Sequence, residues 1–101
     1  MSTVEMVTFR TGDAVTDEAF LKASEAIGEW AKQQPGFEYR ALAKKDNGEW
    51  LDTVYWADHQ SAMNAAEAFP KAMGEAEFMT MIKPDSVSVE HAAVLSQLAG
   101  M

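Results

Sequence analysis

Residues 37–56, FEYRALAKKDNGEWLDTVYW, decide how this chain folds. Two strand-like runs, Phe37 to Lys45 and Glu49 to Trp56, flank Asp46-Asn47-Gly48. Asn-Gly between two such runs is a strong short-range hairpin signal, because both residues tolerate the positive φ of a tight turn. A two-residue Asn47-Gly48 turn sets Arg40 opposite Tyr55, Leu42 opposite Thr53 and Lys44 opposite Leu51, all on one face. With Glu38 beside them, that mixed face suits the wall of a ligand pocket. The other face carries Phe37, Tyr39, Ala41 and Ala43 with Trp50, Val54 and Trp56, and suits packing beneath helices. A three-residue loop with a bulge would slip the pairing by one and set Arg40 beside Val54 and Trp56. The two-residue register is the preferred expectation.

Working outward, Thr3 to Phe9 is β-branched and apolar and short enough for a strand, and Gly12-Asp13 breaks it. Thr16 is an N-cap, with Asp17 and Glu18 at the positive end of the helix that follows. Val15 and Phe20 have the spacing of a hydrophobic staple. Phe20, Ala23, Ile27, Trp30 and Ala31 recur at helical spacing, so a helix runs from Thr16 to about Gln34, where Pro35-Gly36 stops it. Beyond the hairpin, Asp58 caps a second helix whose apolar stripe is Ala62, Met63, Ala66 and Phe69. Pro70 predicts a kink or restart there. Ser86 to about Val94 reads as a last strand.

The order β-α-β-β-α-β is the ferredoxin-like split arrangement, an α+β antiparallel sheet with helices on one face, in a single domain spanning 1–101. Two helices cover one face only. The open face predicts a homodimer that stacks two sheets and closes a cavity between them.

Composition narrows function. At 48% hydrophobic residues the 101-residue chain can bury a core, which excludes a disordered segment. Eight Lys+Arg against sixteen Asp+Glu, a net charge of −8, argue against nucleic acid and anionic membrane surfaces. No apolar run is long enough to span a bilayer, and no signal-peptide pattern opens the chain, so a cytoplasmic protein is expected. Without cysteine there is no thiolate chemistry. The two histidines, His59 and His91, show no metal-ligand spacing, so neither a metal nor another cofactor is expected. His59, in the first turn of a helix, is expected to be exposed.

His91, in VSVEHAAV, alternates with Val87 and Val89 on one strand face. Histidine changes charge near neutral pH, so it is a candidate general base for an acidic O–H or C–H, or else an interface histidine. Arg40 is a candidate donor to a carboxylate, phenolate or enolate, with Tyr55 as second donor. The alternative is an Arg40–Glu38 ion pair at the sheet rim. Glu38, Leu42, Thr53 and Trp56 complete the candidate ligand-binding set.

Residues 35–69, PGFEYRALAKKDNGEWLDTVYWADHQSAMNAAEAF, and 78–94, FMTMIKPDSVSVEHAAV, resemble antibiotic-biosynthesis-monooxygenase-like domains of the dimeric α/β-barrel superfamily. Pro35-Gly36-Phe37, VYWADHQSA at 54–62 and MIKPDSVSVEH at 81–91 carry most of the resemblance. It implies a homodimer with one pocket in each subunit. Some members are cofactor-independent oxygenases of phenolic polyketides; others degrade haem. The haem-degrading members use an asparagine on the first strand and a tryptophan and histidine on the second helix, a set this chain lacks. Three functions remain open: a cofactor-free monooxygenase acting on a phenolic or enolisable apolar substrate, a non-catalytic small-molecule binder, and an interaction scaffold.

Overall fold

The computed structural model describes residues 1–100. Its elements are β1 (Thr3–Phe9), α1 (Asp17–Lys32), β2 (Phe37–Lys44), β3 (Trp50–Trp56), α2 (His59–Met73), α3 (Glu77–Thr80) and β4 (Ser88–Ala93). A 3-10 turn, Pro84–Ser86, precedes β4. The four strands form one antiparallel sheet in the order β2-β3-β1-β4, the ferredoxin-like arrangement expected from the element order.

Local chemistry accounts for the helix starts. The Thr16 hydroxyl accepts the Ala19 N–H at 3.1 Å, and the Asp58 carboxylate accepts the Ser61 N–H at 2.7 Å, each satisfying a donor that the first turn leaves free. Val15 and Phe20 meet in one apolar cluster, as a staple requires. Pro70 does not break α2 into two helices: it runs on to Met73 without a restart, and a further turn of helix, α3, follows. Proline removes one N–H from the ladder, and only three residues of helix follow it. The Gly74 N–H returns to the Pro70 carbonyl at 3.1 Å and closes that last turn.

The hairpin takes the three-residue loop. The Lys45 N–H bonds the Glu49 carbonyl at 2.8 Å, and the Gly48 N–H bonds the Lys45 carbonyl at 3.0 Å. Gly48 has φ +90°, and the Asn47 side chain accepts the Glu49 N–H at 3.0 Å. A turn followed by a left-handed glycine is the standard three-residue hairpin, so Asn-Gly here serves a longer loop than the two-residue reading assumed. Lys44 therefore pairs with Trp50, Leu42 with Asp52 and Arg40 with Val54. This one-residue slip turns Arg40, Leu42 and Lys44 to the helix side and Tyr39, Ala41 and Ala43 away from it.

A second irregularity, between Phe37 and Tyr39, makes Glu38 the extra residue of a bulge. Phe37 thereby regains the helix side, its ring edge-on to Trp56 with centroids 5.8 Å apart. The helix side of β3 is the buried one: Trp50, Asp52, Val54 and Trp56 are all buried.

Candidate functional site

The core is two clusters. One comprises Phe9, Phe20, Ile27, Trp50 and Phe78; the other comprises Val54, Trp56, Ala62 and Ala65. A cavity of about 270 Å³ lies between sheet and helices, its walls drawn from both clusters. Trp30, Val54, Trp56 and Phe69 supply much of its apolar surface, and Trp30 and Phe69 pack edge-on at 5.5 Å. Val87 and Val89 also line it and remain 42% and 52% exposed, so the cavity opens along the β4 edge.

Three charged side chains line this apolar space: Glu5, Arg40 and Asp52. Strand register explains their meeting. Arg40, Val54, Glu5 and His91 are successive partners in one row across all four strands, and Leu42, Asp52, Val7 and Val89 form the next. Asp52 is thus the diagonal same-face neighbour of Arg40. The pair is bidentate: Arg40 Nε donates to Oδ1 at 2.9 Å and Nη2 to Oδ2 at 2.8 Å. Arg40 Nη1 also donates to the Ser24 carbonyl of α1 at 3.2 Å. The side chains are only 12% and 11% exposed, so their bidentate geometry is what compensates for lost hydration.

Glu5 Oε2 lies 3.2 Å from His91 Nε2, and the His59 ring stands edge-on to His91 at 6.2 Å. The carboxylate holds the imidazole against the cavity side of the sheet. The Trp56 indole N–H adds a further polar group: it is buried with no hydrogen-bond partner among the described residues, although Trp56 lines the cavity. Trp50 Nε1 is likewise unpartnered but belongs to the aromatic cluster around Phe20. Among the described residues no group of three or more His, Cys, Asp or Glu side chains converges as a metal site.

The expected residues are thus redistributed. Arg40 and Trp56 line the cavity, and His91 stands beside it through Glu5. Leu42 faces the same side and packs on the first core cluster. Tyr55 and Thr53 lie on the opposite face, where the Tyr55 ring meets Tyr39 at 6.1 Å. Glu38 is exposed on the bulge and accepts the Ser2 hydroxyl at 2.7 Å, so it forms no ion pair with Arg40. The residues expected to share one wall are split between the two faces, because the three-residue loop shifted the register: Arg40 and Leu42 face the helices, Thr53 and Tyr55 the open side. Glu5 and Asp52 were missed by sequence reasoning. The slipped register was the one signal that would have set Asp52 beside Arg40.

The sequence matches no protein-family model and no curated protein. Solved structures do share the fold. SnoaB, a cofactor-independent oxygenase from Streptomyces nogalater, superposes with a TM-score of 0.72 over 98% of each chain at 13% identity. A proposed antibiotic biosynthesis monooxygenase from Chloroflexus aurantiacus gives 0.71 over 98% of each chain at 14% identity. A proposed monooxygenase from Shewanella loihica gives 0.68 over 96% of this chain and 99% of its own, at 20% identity. The fold is that of the antibiotic-biosynthesis-monooxygenase-like domains.

Proposed function

We propose that this protein is a cytoplasmic homodimer that binds a flat, apolar phenol or enol and oxidises it with dioxygen, without a bound cofactor. The observation that carries the reading is the cavity itself: aromatic walls with a proton-accepting pair, Glu5–His91, and the Arg40 guanidinium at its polar points. A cavity of this kind favours a small-molecule role over a scaffold.

In this mechanism the substrate O–H or acidic C–H gives its proton to the Glu5–His91 pair, whose Glu5 carboxylate lines the cavity and relays the proton to the His91 imidazole behind it. The oxyanion takes an uncommitted N–H of Arg40. The electron-rich anion then passes an electron to dioxygen. Exclusion of water by the aromatic walls strengthens each of these contacts.

The test is oxygen consumption over a panel of polycyclic phenols with no metal or flavin added. We expect substrate-dependent uptake that falls at least ~10-fold in His91→Ala. An unchanged rate in that variant removes the proposed base. A ligand that raises the melting temperature without oxygen uptake instead identifies a binder, a role the same cavity supports.

A further inference from the structure

We infer that Asp52 is a specificity residue, which makes the cavity select ligands that arrive neutral and reject standing anions of the same shape. The inference rests on the ligand-binding reading above and deepens it.

A buried arginine in an aromatic cavity would ordinarily mark a site for a carboxylate or phosphate. Here that role is already filled. Both Asp52 oxygens engage Arg40 at 2.9 and 2.8 Å, and the Ser24 carbonyl takes a third N–H at 3.2 Å. Three of the five guanidinium N–H groups are committed, and Asp52 occupies the side-on Nε/Nη2 fork completely. The charge balance points the same way. The lining holds one cation, Arg40, against two carboxylates, Asp52 and Glu5. Glu5 faces a histidine, which offsets its charge only when protonated.

A carboxylate entering this space would lose its hydration without gaining a free counter-charge, and would face two like charges in a low-dielectric surround. A phenol or enol meets no such barrier. It enters neutral and can donate to a carboxylate before any proton moves. The pairing thus leaves Arg40 able to offer an N–H to a nascent oxyanion while denying a standing anion the side-on fork and an unpaired counter-charge.

The experiment compares two bicyclic probes of like shape at pH 7 by calorimetry: 1-naphthol, which is neutral, and 1-naphthoate, which is ionised. The wild-type protein is expected to bind 1-naphthol at least roughly tenfold more tightly. Asp52→Asn, which frees the Arg40 fork while keeping side-chain shape, is expected to collapse or invert that preference. Asp52→Ser serves the same purpose if the asparagine variant fails to fold. Arg40→Met/Asp52→Leu, which removes both charges, is expected to retain the naphthol preference.

Equal binding of both probes by the wild type, or an unaltered preference in the folded Asp52 variants, overturns the inference. So does a gain of naphthoate binding in the double variant. Binding of neither probe removes the small-molecule reading itself, and the inference with it; the two failures are therefore distinguishable.

Discussion

At the residue scale, Gly36 shows how a side chain's absence positions the site. It has φ +85°, and a Cβ there would meet the Ser61 hydroxyl oxygen and lie 2.6 Å from the Ser61 Cβ. The close approach holds the α1–β2 turn against the first turn of α2, where the Gly36 carbonyl accepts the Ala57 N–H at 2.7 Å. Gly36→Ala is expected to destabilise the fold by about 2 kcal/mol or more, from backbone strain and the clash together. Adding Ser61→Gly should relieve the clash and leave the strain, so urea unfolding of the pair should show partial recovery. Full recovery would mean that φ contributes nothing. A neutral single variant would overturn the account.

The same scale decides the electrostatics of the site. Arg40 and Asp52 stand in strands of unlike pattern, and neither is marked in the sequence as the other's partner. The register that joins them is the one that accompanies the three-residue loop, in which Gly48 takes φ +90°. Legibility was therefore uneven. Arg40, Trp56 and His91 could be singled out by residue type, whereas Glu5 and Asp52 acquire meaning only from neighbours on other strands.

At the element scale, the start of α2 carries a pH dependence whose sign follows from its cap. Donation from the Ser61 backbone N–H, and then from its hydroxyl, holds the Asp58 carboxyl below its ordinary range. A group whose folded value is depressed stabilises the fold at pH above its unfolded value, about 3.9 for aspartate. That contribution is lost as pH falls through the lower, folded value. Asp58→Ala should therefore reduce the urea midpoint at pH 7, and the gap from wild type should narrow on acidification below pH ~4. A gap independent of pH would assign the loss to something other than the ionised cap.

Elements also explain which boundaries were readable. Both N-caps, the Gly12-Asp13 break and the first strand announce themselves through local chemistry. α2 continues past Pro70 without a restart because a proline near a helix end costs little: few hydrogen bonds remain beyond it, and Gly74 closes the turn. Glu38 shows the opposite case, since a bulge leaves no compositional trace when the extra residue is a surface glutamate.

At the scale of the whole molecule, the sheet face turned from the helices carries Val4, Met6, Tyr39, Thr53 and Tyr55 by strand alternation, with Tyr39 59% exposed. Leu95 and Leu98, in the tail after β4, are 84% and 97% exposed; Met101 lies outside the described residues. An apolar sheet face of this extent is expected to be covered by a second copy in solution. Sedimentation of the wild type should give a dimer at micromolar concentration, and Tyr39→Glu/Tyr55→Glu should shift it to monomer. A monomeric wild type would exclude the stacked-sheet assembly while leaving the cavity, which one subunit builds alone, in place.

Hydrophobic periodicity, caps and turn residues act over a few positions, and by themselves they determined the element order, the ferredoxin-like α+β class and the helix starts. None of the helix ends or faces that follow from those local signals needed a distant contact. Hairpin register, and with it the face that Arg40 takes, is a cooperative choice between loops that the same Asp46-Asn47-Gly48 allows. Tertiary structure decided it: either register can set Trp50, Val54 and Trp56 beneath the helices, but only the slipped one puts Arg40 on that side with its carboxylate. The site is made of residues from four strands and three helices, and its charge balance exists only once those strands are side by side.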